Sequence, residues 1–419
     1  MRSYRVLAGL CLAVFCLMTG MGMAGAALPA KFLAVGGDVR SAGGLAAAFA
    51  LAYIVCQYPA GRLADAFGAT YVVAAGFALT AVSALVCREA GTASLIYLSR
   101  FLQGAGEAPV WACAPVLLAA MYPHMRGRVI GMYNAAFHCG MMLGPALAAG
   151  LSGFGAVDPF LLFAGLGFAG CVLVLVSGAA APSTRPSDAG QAASRPEPVL
   201  EDDEASTGNA SALLSRLAPA LLGLPVFGAS YGLLTSCVPL SLAATRGFGE
   251  RELGVFFFVA FAALTLAQLA AGRLSDRFGR RGFMGLGLAL MAVGLWMVAG
   301  EAELSGGGLF AGAGILGAGL GGFGAPSMAL LQESCASRLR GRAAGFYYAV
   351  WGLGYFAGPL AADAAGLDLV AGSIGALGCF AVCVMAAIVA LPRAARPRGG
   401  EKAGNARRIA ENSGRLHNG

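Results

Sequence analysis

The sequence contains few charged residues for its length. Only 12% of its 419 residues are Asp, Glu, Lys or Arg and 58% are hydrophobic, which gives a mean hydropathy of +0.74. Soluble domains carry about 25% charged residues, so this composition excludes an ordinary soluble protein and indicates an integral membrane protein. The apolar runs are apolar all round rather than alternating, which favours membrane-spanning helices over a membrane-spanning barrel.

The sequence also lacks residues that many enzymes and pumps require. It contains no H-E-x-x-H zinc motif and no G-x-x-x-x-G-K-[ST] phosphate loop. Its eleven cysteines are scattered through apolar runs without the spacing of metal ligands, so we predict packing residues, no metal and no cofactor. These absences argue against an enzyme and an ATP-driven pump, and any transport would draw on an ion gradient or on the substrate's own gradient.

Two parts of the chain repeat each other. Gly272–Arg281 reads GRLSDRFGRR and Gly61–Thr70 reads GRLADAFGAT, and each lies between two long apolar runs. Arg126–Pro145 also lies over Arg340–Pro359 without a gap, with arginine, glycine, tyrosine and proline at matching places. The sequence therefore predicts two related halves, and a parallel repeat of this kind is one recognised build of secondary transporters.

The repeated turn, which we call the signature turn, resembles the cytoplasmic signature of the major facilitator superfamily. The stretch from Arg100 to Gly106, RFLQGAG, resembles the fourth-helix motif of that family. Gly131, Gly140 and Gly144-Pro145 resemble the fifth-helix motif of its proton-driven exporters, although the second half repeats part of this pattern and packing alone is the alternative. The resemblance implies an all-α integral membrane fold of twelve transmembrane helices in two six-helix pseudo-symmetric bundles.

The repeat and the resemblance predict that the chain consists of two bundles, a linker and a tail. The linker is rich in Pro, Ser and Ala and carries the acidic run Glu201–Glu204, which is typical of a disordered tether. The predicted divisions are an N-terminal bundle at 1–178, a cytoplasmic linker at 179–213, a C-terminal bundle at 214–392 and a basic tail at 393–419. The first 30 residues also read like a signal peptide, but Arg216–Pro239 is their equivalent in the second half, so we expect them to be retained.

The basic residues predict how the chain crosses the membrane. With both termini in the cytoplasm, the signature turns, the starts of the fifth and eleventh spans and the tail place their basic residues inside. Because the net charge of +7 lies in these loops, it indicates membrane topology rather than nucleic-acid binding. We expect a multi-pass protein of the inner (plasma) membrane, monomeric and surrounded by the lipid bilayer.

Each signature turn contains an acidic residue, Asp65 or Asp276, that could act as a latch. The resemblance implies that Asp276 docks near Arg128 and Asp65 near Arg342, across the two halves, and that these contacts hold the cytoplasmic side closed. The first turn has Ala66, Ala69 and Thr70 where the signature usually has basic residues, so we expect a weaker charge network there. The predicted latch residues are Gly61, Asp65, Gly68, Gly272, Asp276, Arg277, Gly279, Arg280, Arg128 and Arg342.

A polar stripe is predicted on the fourth span. Arg100, Gln103 and Glu107 are spaced i, i+3, i+7 and therefore share one helix face. A charge at the centre of a membrane helix costs about 2.5–3.5 kcal/mol on insertion scales, so such residues normally face a functional interior, although a pair that only locks helices together is the alternative. We predict that Glu107, Arg100 and His138 couple transport to protons, with a hydrogen-bonded packing role equally open for His138.

Tyr348, Trp351 and Tyr355 on the eleventh span repeat the same spacing, and they either line a central cavity or pack in the core. The predicted cavity residues are Gln57, Gln103, Asn134, Tyr231, Thr235, Gln268, Tyr348, Trp351 and Tyr355. An apolar, aromatic cavity suits an amphiphilic or drug-like compound.

These features predict a secondary transporter that exports a small organic compound by alternating access. The resemblance is to drug/proton antiporters, with a small-molecule substrate and protons as partners. Two alternatives stay open: a proton symporter that takes up a small organic acid bound by Arg100, and a membrane receptor or scaffold that does not transport.

Overall fold

The computed structural model describes residues 2–122, 125–151, 158–177, 210–299, 306–334 and 340–365. These residues form helices and no β-strand. The first six long helices are α1 Arg2–Ala34, α2 Ala42–Phe67, α3 Ala69–Glu89, α4 Ala93–Met121, α5 Arg126–Leu151 and α6 Pro159–Val176. The others are α7, which begins with Ala210–Gly232, α8 Glu250–Phe278, α9 Arg280–Ala299, α10 Gly306–Glu333 and α11 Arg340–Ala365.

Helix α7 changes its winding near its middle. After Gly232 it forms a π-helical turn, Leu233–Cys237, and then continues as an α-helix over Val238–Arg246. Pro239, the second residue after this turn, has no backbone N–H to donate, which weakens regular α-helical bonding at this point. Such turns occur frequently at functional sites, and this one carries Thr235 to the cavity described below.

Eight of the described helices are long and apolar enough to cross a membrane by length and composition alone. The other three long helices, α4, α5 and α11, have apolar runs that polar, proline and glycine residues interrupt. The predicted twelfth span near 370–391, the tail and residues 179–209 of the predicted linker lie outside the described residues. Helix α7 begins at Ala210, so the last four residues assigned to the linker are helical.

The glycines with positive φ occupy equivalent positions in the two repeated halves. The described residues with positive φ are four glycines in two equivalent pairs, Gly36 with Gly247 and Gly68 with Gly279. Gly68 and Gly279 lie in the two signature turns with φ of 95° and 101°, where they end α2 and α8. Because a side chain disfavours such angles, the repeated glycine has a direct structural reason.

The glycines of the fifth-helix motif also serve close packing in both halves. A Cβ on Gly140 of α5 would lie 2.6 Å from the carbonyl oxygen of Phe15 in α1. A Cβ on its equivalent, Gly354 of α11, would lie 2.3 Å from the carbonyl oxygen of Pro225 in α7. Both glycines are therefore required for the approach of two helix backbones, whatever else the motif does.

The two halves meet mainly through two pairs of helices, α2 with α11 and α5 with α8. At the end of the bundle opposite the signature turns, Gly43 of α2 lies against Pro359 and Gly254 of α8 lies against Pro145. At the other end, a Cβ on Gly61 or Gly272 would meet no described atom within 4 Å. The close crossings between the halves are thus at the end that the charge pattern predicts to face outward.

Candidate functional site

A cavity of about 430 Å³ lies between the two halves. One wall is formed mainly by α1, α4 and α5, and the other by α7, α8, α10 and α11. The predicted residues that line it are Arg100, Gln103, Glu107, Asn134, His138, Tyr231, Thr235, Gln268, Tyr348, Trp351 and Tyr355. Gln57 is not among the lining residues; its side chain hydrogen-bonds Tyr53, which does line the cavity.

The polar stripe of α4 forms one continuous chain of hydrogen bonds. Arg100 Nη1 donates to Gln103 Oε1, and Gln103 Nε2 donates to Glu107 Oε1 at 2.9 Å. Trp111 Nε1 donates to Glu107 Oε2 at 3.4 Å. Gln103 and Glu107 are only 4% and 3% exposed, so these bonds replace water around both groups.

Two features of this series of hydrogen bonds were not predicted from the sequence. The shared helix face did not indicate that the amide of Gln103 lies between Arg100 and Glu107 and hydrogen-bonds both. Trp111 was missed, although it lies at i+4 from Glu107 and continues the same helix face. An indole at this spacing can pack in the core or join a polar network, so helical periodicity alone did not show that Trp111 hydrogen-bonds Glu107.

Arg100 also contacts an aromatic ring of the same half. Its guanidinium carbon lies 5.0 Å from the ring centroid of Phe49, a cation–π contact. Its Nε atom is buried without a hydrogen-bond partner in the described part of the chain. Arg100 is therefore held by one amide and one ring, and it retains an N–H donor that no described acceptor satisfies.

The opposite wall is built around Trp351 of α11. Its ring centroid lies 5.3 Å from that of Tyr355, 5.7 Å from Tyr231 and 6.4 Å from Phe227. Thr235 Oγ1, in the π-helical turn, lies 3.0 Å from Tyr355 Oη, so the turn is tied to this aromatic cluster. The aromatic stripe predicted on α11 thus faces the cavity and also packs against α7.

Asn134 and His138 lie one helical turn apart on α5, and both line the cavity. The ring of His138 lies 4.7 Å from that of Phe137 in a T-shaped contact. Of the predicted proton-coupling residues, Arg100 and Glu107 share one hydrogen-bond chain through Gln103, while His138 lies on a different helix of the same wall.

The second signature turn contains an ion-pair cluster that links three helices. Arg280 Nη2 lies 2.7 Å from Asp276 Oδ1, and Arg280 Nε donates to Glu333 Oε2 at 2.8 Å. These residues belong to α9, α8 and α10, so the cluster lies within one half, and Glu333 was missed because it is 53 positions away along the chain. Asp65 and Arg277 are exposed, with Arg277 over the ring of Phe278 at 5.5 Å.

The predicted contacts of Asp276 with Arg128 and of Asp65 with Arg342 remain predictions. The side chains of Arg128 and Arg342 lie outside what the structure describes.

Comparison with known proteins decides the family. The family model named Major Facilitator Superfamily matches residues 10–240 and 220–415. The chain belongs to the Major Facilitator Superfamily. It is thus a multi-pass membrane protein with the fold that the signature turns predicted.

Similar sequences within the superfamily include drug-resistance proteins. Quinolone resistance protein NorA of Staphylococcus aureus is 26% identical over 164 residues, which are 39% of this chain and 42% of that protein. Multidrug resistance protein 2 of Bacillus subtilis (strain 168) is 27% identical over 150 residues, which are 35% of this chain and 37% of that protein. The chain therefore spans about two fifths of the length of the curated relatives it matches.

Solved structures of the superfamily share the fold over nearly the whole chain. A D-xylose–proton symporter has a TM-score of 0.70 at 17% identity, covering 94% of this chain and 98% of its own. The nucleoside transporter NupG has a TM-score of 0.65 at 13% identity, covering 92% and 98%. At these identities the likeness concerns the fold alone.

Ser230 of α7 stands in a short string that resembles a hydrolase motif. Ser230 lies in a G-x-S-x-G string, Gly228–Gly232, a pattern that marks the nucleophile of α/β-hydrolases when it forms a sharp strand-to-helix turn. Here the string is inside the regular helix of α7, and Ser230 is fully buried. The string therefore does not form a nucleophile elbow.

Among the described residues, no group of three or more His, Cys, Asp and Glu could hold a metal ion.

Proposed function

We propose that the chain exports small amphiphilic aromatic compounds across the plasma membrane in exchange for protons. The observation that carries this proposal is the buried series of hydrogen bonds from Arg100 through Gln103 to Glu107, which faces an aromatic wall across one cavity. Alternating access of this cavity to the two sides of the membrane would move the compound.

The distribution of polarity around the cavity supports the substrate class. Arg100 and Glu107 are the only acidic or basic residues, histidine aside, among the described lining residues, and both lie on α4. The lining contributed by the second half is neutral and centred on Trp351, Tyr355 and Tyr231. A substrate with a polar end and an aromatic end would place the former against α4 and the latter against α11. The names of the relatives, quinolone and multidrug resistance proteins, agree with compounds of this class.

The hydrogen-bond chain suggests how a proton could be coupled to transport. An ionised Glu107 only accepts hydrogen bonds, and in the structure it accepts from both Gln103 and Trp111. A protonated Glu107 also carries an O–H donor, and when the proton lies on Oε1, which faces Gln103, the Gln103 amide would turn its oxygen toward it. Gln103 would then present N–H groups to Arg100, which is itself only a donor, and the contact with Arg100 would be lost. Protonation of Glu107 would thus release Arg100, and return of Arg100 would favour loss of the proton.

This exchange of hydrogen bonds fits antiport when the substrate replaces one of the contacts among Arg100, Gln103 and Glu107. A cationic or polar group of the substrate would bind the ionised Glu107, so that proton and substrate compete for the same carboxylate. With the signature turns facing the cytoplasm, as the basic residues predict, the cavity would load substrate there and protons outside.

Arg100 supports one second candidate, the uptake of a small organic acid. Its buried Nε has no hydrogen-bond partner among the described residues, and a substrate carboxylate could satisfy it. This reading predicts accumulation of an anionic aromatic acid inside the cell, driven by protons that move in the same direction.

Transport into inverted membrane vesicles separates these functions. An acid-inside pH gradient should drive accumulation of a cationic aromatic dye by the parent chain and not by Glu107→Gln, which should also bind the cationic dye more weakly because the carboxylate is lost. Proton-driven uptake of an aromatic carboxylate into right-side-out vesicles would instead support symport. Binding of either probe without movement in any vesicle would contradict transport and favour a receptor.

A further inference from the structure

A carboxylate of the second half caps a helix of the first half. Asp363, near the end of α11, accepts a hydrogen bond from the backbone N–H of Gly43 at 2.8 Å through Oδ1. It accepts a second from the N–H of Gly44 at 3.1 Å through Oδ2. Gly43 and Gly44 lie in the first turn of α2, so the cap comes from a residue about 320 positions away.

The start of α2 has no side-chain cap from its own N-cap residue. The first N–H groups of a helix have no partner within the helix, and a side chain at the N-cap position usually satisfies one of them. Ser41 occupies that position and makes no side-chain cap bond; its hydroxyl donates instead to the carbonyl of Asp38. The half-buried carboxylate of Asp363 therefore supplies both the hydrogen bonds and the negative charge that a helix start favours.

The cap sits at a very close crossing of the two halves. A Cβ on Gly43 would lie 2.2 Å from the carbonyl oxygen of Pro359, one helical turn before Asp363. This contact exists only while α2 and α11 are together at the end opposite the signature turns. Opening of that end would pull Asp363 away from both N–H groups.

The equivalent crossing of α8 with α5 has the same backbone contact without the carboxylate. A Cβ on Gly254 would lie 2.6 Å from the carbonyl oxygen of Pro145 and 2.8 Å from the backbone nitrogen of Ala149. By the sequence repeat, Gly254 corresponds to Gly43, Pro145 to Pro359 and Ala149 to Asp363. Helix α8 is capped locally instead, because Glu252 accepts from the N–H of Gly249 at 3.0 Å.

We propose that Asp363 is the latch of the predicted outer side, and that it holds the transporter closed there by capping α2 across the two halves. The device is asymmetric, since only the α2–α11 crossing carries it. The α5–α8 crossing would separate without the loss of such a cap.

The test is labelling of a reporter cysteine from the outer side. Gly25 lines the cavity, and a Cβ there would meet no described atom within 4 Å, so Gly25→Cys is a suitable reporter. Right-side-out vesicles would be treated with a membrane-impermeant maleimide, and the chain without the reporter gives the background from native cysteines. No substrate is needed, so the result is independent of whether the chain exports anything.

Asp363→Ala should raise the labelling rate about fivefold, which corresponds to the usual cost of removing a helix cap, and Asp363→Asn should give a smaller rise because its amide oxygen still accepts one bond. Ala149→Ser, at the equivalent position of the other crossing, should leave the rate unchanged. An unchanged rate in both Asp363 variants, with normal amounts in the membrane, would overturn the proposal. An equal rise with Ala149→Ser would do so as well, since it would assign the effect to packing.

Discussion

Gln103 donates to Glu107 at 2.9 Å while its own oxygen accepts from Arg100, so one neutral amide joins two opposite charges inside the bundle. When Glu107 binds a proton on Oε1, the amide N–H of Gln103 loses this acceptor, and an amide turned to accept from Glu107 presents N–H groups to Arg100, which can only donate. The relationship makes Gln103 as important to the proposed coupling as the two charged residues.

Replacement of Gln103 tests this bridge. Gln103→Leu should leave Arg100 and Glu107 without their common partner, and a buried unsatisfied polar group costs about 1–3 kcal/mol. We expect at least a tenfold loss of proton-driven transport with dye binding retained, measured in inverted vesicles over a range of pH. Gln268→Leu removes the other cavity glutamine, which lies in the second half, and is the control. Similar losses in the two variants would show that Gln103 has no special role in coupling.

Trp351 is expected to bind the aromatic end of the substrate. Aromatic contacts are worth about 0.5–1.5 kcal/mol beyond burial, so Trp351→Ala should weaken apparent dye affinity several-fold, whereas Trp351→Phe should retain most of it. The control is Trp296→Ala, because Trp296 is 69% exposed on α9 and is not a cavity residue. Lower expression of Trp351→Ala with unchanged affinity would mean that the ring only packs.

The signature turns, the apolar runs and the repeat predicted the fold, because each reflects a local requirement that a sequence shows directly. Gly68 and Gly279 end helices with positive φ, and glycine at such a position can be recognised from its neighbours. The polar stripe was predicted for the same reason, since helical spacing places Arg100, Gln103 and Glu107 on one face.

Contacts between distant segments could not be predicted in this way. Glu333 reaches Arg280 across 53 positions, and Asp363 reaches Gly43 across about 320. Neither acidic residue stands in a motif, so only the packing of the helices reveals its partner. Gln57, an intramembrane glutamine predicted to line the cavity, is not among the described lining residues, and its side chain hydrogen-bonds Tyr53.

The fifth-helix glycines allow packing to be separated from other roles of the motif. Gly140→Val and Gly354→Val should each lower the unfolding temperature in detergent by several degrees, because a Cβ would meet a backbone oxygen at 2.6 Å or 2.3 Å. Gly131→Ala should be tolerated, since a Cβ there would meet no described atom within 4 Å. A stable Gly140→Val chain would contradict the packing role.

The acidic residues of the signature turns should differ in their effect on the predicted cytoplasmic side. Asp276 binds Arg280, which is only 16% exposed and also binds Glu333, whereas Asp65 is exposed beside Ala66, Ala69 and Thr70. We expect Asp276→Ala to increase cytoplasmic labelling of a cysteine placed at Met328, a lining residue of α10, more than Asp65→Ala does. Equal labelling in both variants and the parent would contradict a latch role for either residue.

Glu333→Gln shows which interaction of Asp276 is responsible. If the cluster only fixes the turn between α8 and α9 against α10, loss of Glu333 should increase labelling as much as loss of Asp276, because each removes one partner of Arg280. If Asp276 also docks on the other half, as the signature implies, Asp276→Ala should have the larger effect. In that case Asp276→Asn, which keeps the size of the side chain and removes its charge, should resemble Asp276→Ala if the partner is the basic Arg128, since attraction to a basic residue requires the charge.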